Sequence, residues 1–205
     1  MAETAEGPEM LLARARSGDA AILGRLLASY RNYLRLMADT QMGPALRSRV
    51  EPSDLVQEAL LEAHRDFGEF QGGHEGELLA WLRRILAHNL YNQARHFAAQ
   101  QGDAAREVSL EQVQAGVERS SLALGRCLAD VGETPSQAAV QREAALRLAD
   151  ALARLPADYQ TVLLLRVYEE MPAEEVAQHM GRTAGAVRML QMRALAALRE
   201  HLAAE

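Results

Sequence analysis

The stretch Pro172–Leu190, PAEEVAQHMGRTAGAVRML, decides the fold. Pro172 suits the first position of a helix, where its missing N–H costs nothing. Val176 and Met180 recur at the helical period and face inward. Ala177 is small enough for two helices to cross closely, and Gly181 supplies the positive φ of a tight turn. Thr183 caps a second helix, and Val187 and Leu190 anchor that helix from below. This is the pattern of a helix-turn-helix. Arg182, Thr183, Ala184, Gly185 and Arg188 fall at the exposed start of the second helix, the end that meets base edges in a major groove. A helix N-terminus with a threonine hydroxyl also suits a phosphate. A plain helical hairpin shares the periodicity, so the motif by itself leaves that alternative open.

Outward from this stretch the helical period continues. A helix is expected over about Gln137–Ala153, a second from Pro156 carrying Val162, Leu163, Leu165 and Val167, and a last one from Thr183 to about His201. Toward the N-terminus, Asp19 caps a helix through Ile22, Leu23, Leu26, Leu27, Tyr30, Leu34 and Met37, which Gly43-Pro44 ends. Pro52 opens another with Leu55, Val56, Ala59, Leu60 and Ala63 as its apolar face. The Gly72-Gly73-His74-Glu75-Gly76 stretch marks a loop. A long helix over about Glu77–Ala99 follows, with Leu78, Leu79, Leu82, Ile85, Leu86, Leu90 and Tyr91 toward the core. Residues 100–141 are richer in Ser, Gly, Gln and Glu and carry a Glu133-Thr134-Pro135-Ser136 break. They are expected to be a linker with one short helix near Ser121–Asp130. The fold class is therefore all-α, with two small helical domains, 19–99 and 142–205, joined by this linker and preceded by a tail, 1–18.

Composition agrees. Hydrophobic residues make up 49% and aromatics 4%, a balance rich in Ala and Leu that favours helix over strand. No apolar run approaches the roughly 20 residues that span a bilayer. The acidic start MAETAEGPEM lacks the blocks of a signal peptide, so a cytoplasmic protein without membrane insertion is expected. Cys127 is the single cysteine, which precludes an internal disulfide and reads as a small apolar residue. The 22 basic residues are all Arg, and the net charge is −6. Bulk charge thus opposes nucleic acid, but its distribution does not. No carboxylate occurs over 78–102, where Arg83, Arg84, His88, Arg95 and His96 lie. None occurs over 176–199, where Arg182, Arg188, Arg193 and Arg199 lie. Two basic windows on two helices point to two contacts with a polyanion. Catalysis is not expected: the six histidines are scattered, and no HExxH pattern, Walker loop or dinucleotide turn is present. No metal or cofactor is implied.

Leu148–Glu200, with its L-P, E-E-V-A, G-R-T and G-A-V-R blocks, resembles region four of bacterial sigma factors. Asp54–Phe70 (DLVQEALLEAHRDFGEF) with Leu78–Arg95 (LLAWLRRILAHNLYNQAR) resembles region two. The order of the two, with no domain between them, is similar to the extracytoplasmic-function subfamily. The resemblance implies a transcription factor that binds core RNA polymerase and promoter DNA, with an anti-sigma factor as a possible further partner. It implies that Asp54, Gln57, Glu58 and Glu62, three and four residues apart on one helix face, contact polymerase. It implies that Gln71, His74 and Glu75 of the loop, with Arg83, Arg84, Asn89, Gln93 and Arg95 of the long helix, hold the minus-ten element and an unstacked base. It implies that Arg182, Thr183, Ala184, Gly185 and Arg188 read the minus-thirty-five element, where a bidentate Arg–guanine contact contributes about 1–3 kcal/mol. Trp81 is expected in the core. The linker departs from the shortest members in its length and in its acids, Asp103, Glu107, Glu111, Glu118, Asp130 and Glu133.

A stand-alone helix-turn-helix regulator would account for Pro172–Leu190 but leaves Asp54–Glu58 and the Trp81 helix without a purpose. An adaptor would bind polymerase without opening promoters.

Overall fold

Pro8 begins the first helix of the computed structural model, which describes residues 7–101, 109–130 and 138–204. Among these residues every regular element is helical. Contacts divide the chain into two units, Met1–Glu118 and Arg119–Glu205.

The first unit opens with α1 (Pro8–Arg16), a segment expected to be tail. Pro8 sits in its first turn, and Leu12 and Ala15 are buried against α2. Two apolar residues at a three-residue spacing are too short a signal to stand out in sequence. The expected helix from Asp19 is two helices, α2 (Ala20–Ser29) and α3 (Arg31–Gln41). Asp19 does cap α2, its carboxylate accepting from the Ile22 N–H at 3.1 Å. The break falls at Tyr30, whose ψ is −1° and whose N–H reaches back only to Leu27. The Ser29 hydroxyl also donates to the Leu26 carbonyl at 2.7 Å, a back-bond that bends helices. After the short α4 (Pro44–Arg47) comes α5 (Pro52–Arg65), with Pro52 in its first turn. Leu55, Val56, Ala59, Leu60 and Ala63 of α5 are buried. A 3₁₀ turn at Phe67–Glu69 and an extended loop lead into α6 (Glu75–Gln101), which packs on α3 and α5. Leu78, Leu79, Leu82, Ile85, Leu86 and Leu90 are its core face. Trp81 is half-buried in an aromatic cluster, with ring centroids 5.2 Å from Phe70 and 6.4 Å from Phe67.

The linker holds far more helix than expected. α7 runs over Leu110–Asp130. It starts with a reciprocal cap: Ser109 Oγ accepts from the Gln112 N–H at 3.2 Å, and Gln112 Oε1 accepts from the Ser109 N–H at 3.3 Å. That S-x-x-Q signature satisfies two otherwise orphaned donors. Val117 and Ala123 are buried along it. The side chain of Cys127, together with Asp103, Arg106, Glu107, Glu133, Thr134 and Ser136, lies outside the described residues.

In the second unit, α8 (Ala138–Ala153), α9 (Ala157–Leu163), α10 (Ala173–Met180) and α11 (Ala184–Ala203) follow one another. The end of α9 widens into a π-helical turn, Leu164–Tyr168, closed by the Glu169 N–H on the Leu164 carbonyl at 2.9 Å. Arg166 donates to the Met171 carbonyl and to Gln191 Oε1, the latter at 3.1 Å, and so ties the α9–α10 connection to α11. The Tyr168 hydroxyl donates to the Ser120 carbonyl. Val187, Ala194, Leu198 and Leu202 bury one stripe of α11 against α8, α9 and α10.

Candidate nucleic-acid interface

Local chemistry builds the turn between α10 and α11. Gly181 takes φ +63°, the left-handed region. The Arg182 N–H then reaches the Ala177 carbonyl at 2.9 Å and the Gly181 N–H the Gln178 carbonyl at 3.4 Å. This paired closure satisfies the carbonyls a helix end leaves free. Thr183 caps α11 by accepting from the Ala186 N–H at 3.2 Å. Val176, Ala177 and Val187 are buried where the helices cross, and Met180 and Leu190 are half-buried. Arg182, Thr183, Gly185 and Arg188 are exposed, with Ala184 half-buried among them. Both arginines already hold a carboxylate. Arg182 pairs with Asp158 of α9 at 2.5 Å and Arg188 with Glu174 of α10 at 2.6 Å. Met189 and Met192, 50% and 66% exposed, add apolar surface to α11 that the sequence reading passed over.

In the first unit the loop before α6 is held from within. Glu77 accepts from the Gly73 N–H at 2.7 Å and the His74 N–H at 3.2 Å. These bonds hold its carboxyl below the usual range. A Cβ at Gly72 would meet the Phe70 ring at 2.3 Å, so the loop requires glycine there. Gln71 and His74 are exposed. Glu75 is not: only 8% exposed, it accepts from the Tyr30 hydroxyl at 3.2 Å. Burial first, and the Glu75 charge second, push the Tyr30 hydroxyl up. Glu75 therefore anchors the loop and does not present an edge to a base. A cavity of about 360 Å³ lies beside the loop, edged by Arg16, His64, Phe67 and Phe70.

On α6, Arg84, His88, Asn92 and Arg95 are exposed at spacings of four, four and three. Asn92 bonds His88 Nδ1 at 3.2 Å, and the Arg95 guanidinium lies 5.8 Å from the Tyr91 ring centroid. Asn89 and Gln93 are half-buried, and Asn89 Nδ2 is buried without a hydrogen-bond partner. Arg83 departs most from expectation. Its side chain is 16% exposed, with Nε 2.8 Å from Glu118 Oε1 and a terminal nitrogen 3.1 Å from the Tyr33 hydroxyl.

On α5, Asp54, Gln57 and Glu58 are exposed opposite the buried face, and Glu62 is half-buried. Leu61, 63% exposed, shares this side. An exposed leucine among acids was missed in sequence because it fits the apolar count of the helix.

The model of sigma-70 region 4 matches residues 145–198. The chain is 30% identical over 202 residues to the ECF RNA polymerase sigma factor SigD of Mycobacterium tuberculosis, covering 96% of this chain and 84% of SigD. It belongs to the extracytoplasmic-function sigma factors. The sigma factor is also 28% identical to the ECF RNA polymerase sigma-E factor of Haemophilus influenzae, over 91% of this chain and 90% of that one. It is 26% identical to the RNA polymerase sigma-H factor of Pseudomonas aeruginosa, over 95% and 93%. A sigma factor is a transcription initiation factor, not an enzyme. Among the described residues, no helix is long and apolar enough to cross a membrane.

Proposed function

We propose that this sigma factor docks on core RNA polymerase through α5 and places two helical faces on promoter DNA. Residues 19–99 act as region two and residues 142–205 as region four. Asp54, Gln57 and Glu58, with Leu61 and Glu62 one turn further along the same side, form the polymerase contact. Gln71 and His74, the cavity beside their loop, and Arg84, Asn89, Gln93 and Arg95 of α6 take the minus-ten strand. Arg83 joins them by exchanging Glu118 for phosphate. Arg182, Thr183, Ala184, Gly185 and Arg188 take the minus-thirty-five element. An anti-sigma protein that covers these faces belongs to the same reading.

The observation that carries the proposal is the exposed side of α5. A mixed acidic and apolar strip is unsuited to DNA and suited to a protein partner. A stand-alone repressor has no use for it. Selection from a random duplex pool separates the two. With core polymerase present, the chain should enrich two spaced blocks; alone, it should enrich almost nothing, because the net charge of −6 opposes DNA. Enrichment of a palindrome by the free protein would favour the repressor.

A further inference from the structure

Each basic face carries an arginine that is already satisfied, but the partners differ in kind. Asp158 and Glu174 are exposed residues of the recognition domain itself. Glu118 sits on α7, and its first-unit segment, Leu110–Glu118, brings a carboxylate to the stretch of α6 from residue 78 onward, which has none of its own. Ala80, Arg83 and Arg84 of α6 face Gln114, Val117 and Glu118 across a cavity of about 200 Å³. Both arginines singled out on the first half of α6 therefore line the cleft that α7 occupies. Val117 is 1% exposed and is the one fully buried large apolar side chain on this segment. Glu111, Gln112, Ala115 and Glu118 are exposed. A segment held chiefly by one fully buried valine, one ion pair and the close approach of Gly116 to the Gln41 side chain, over an open cavity, is a displaceable seat.

We propose that Leu110–Glu118 is a built-in competitor of the minus-ten strand, in which Glu118 occupies the place of a phosphate on Arg83. This rests on the minus-ten reading of α6. A carboxylate and a phosphate oxygen make the same charge-assisted bond to a guanidinium, so the two occupants exclude each other at Arg83. The apparent affinity for DNA is then the intrinsic affinity multiplied by the fraction of molecules in which the segment has lifted. A partner that draws α7 away would then turn on the DNA face without touching it.

The test uses the full chain and a fluorescent random-sequence single strand of about 20 nucleotides, read by anisotropy at fixed salt. Glu118→Gln removes the competing charge, and Glu111→Gln removes the same charge from an exposed position on the same segment. Glu118 is 55% exposed, so its substitution should leave the fold intact, which circular dichroism checks. Glu118→Gln should bind about tenfold more tightly than the parent, and Glu111→Gln less than twofold more tightly. Adding Arg83→Ala to Glu118→Gln should remove the gain. Equal gains from both glutamate variants, or a gain that survives Arg83→Ala, would overturn the proposal. If neither the free variants nor their polymerase complexes bind the strand, the minus-ten reading has failed and the competition falls with it. If the parent binds and Glu118→Gln does not differ from it, the competitor alone is wrong.

Discussion

The two basic helix faces use the same chemistry under different cover. On α11, Arg182 and Arg188 pair with Asp158 and Glu174 at side-chain exposures of 40% and 60%. On α6, Arg83 pairs with Glu118 at 16% exposure and also holds Tyr33. An exposed ion pair contributes about 0–1 kcal/mol and exchanges readily for another anion. The more covered Arg83 is screened less by salt, and its partner Glu118 lies on α7, the helix proposed above to lift from α6. On the proposed function, α11 is thus presented ready for DNA, whereas the α6 face is presented partly occupied.

Val187→Asp should break this comparison most severely. Val187 is fully buried between α11 and its neighbours. A charge there should destabilise the second unit by about 3 kcal/mol or more while the first unit keeps its own transition. Calorimetry would show one transition lost and one retained; equal loss of both would mean that the units do not fold separately. Arg188→Ala should next remove about 1–3 kcal/mol of base discrimination at the upstream element. It should leave single-strand binding unchanged, as fork-junction and duplex probes would show.

The caps sharpen the comparison on a smaller scale. Thr183→Ala and Ser109→Ala should each cost about 1 kcal/mol of helix stability. The first should affect only the second unit, and the second only the seating of α7; amide exchange distinguishes them. Glu174→Gln should shift the melting free energy by less than about 1 kcal/mol. Acid acts on the loop before α6. Glu77 has its carboxyl lowered by the Gly73 and His74 amides, so its contribution is complete above the ordinary carboxylate pKa. That contribution is lost as pH falls through the lowered value. Gly73 amide exchange should rise in that acid window, and Glu77→Gln should abolish the rise.

The helix-turn-helix was legible because its signals are local. Pro172, Gly181 and Thr183 each act within one turn of their own backbone, and the bounds of α10 and the start of α11 follow from them. The capping box at Ser109 is equally local, yet the polar composition around it argued for linker, and the burial of Val117 that sustains α7 is tertiary. Glu75 and Arg83 show why site residues are harder to read. Their partners, Tyr30 and Glu118, lie 45 and 35 residues away. Residue type and helical spacing place a side chain on an element, but only packing decides whether it faces solvent, a core or another charge. The break at Tyr30 belongs to the same class: periodicity runs through it, and the buried hydroxyl on Glu75 shows what the break positions.

The central claim is that α5 offers polymerase a surface. Co-elution of the purified chain with bacterial core RNA polymerase on a sizing column tests it most directly. A stoichiometric complex that the triple substitution Asp54→Ala, Gln57→Ala and Glu58→Ala abolishes, with the helical spectrum unchanged, is the predicted result. No association at low salt with core enzyme from a related organism, or a complex indifferent to those substitutions, would contradict it.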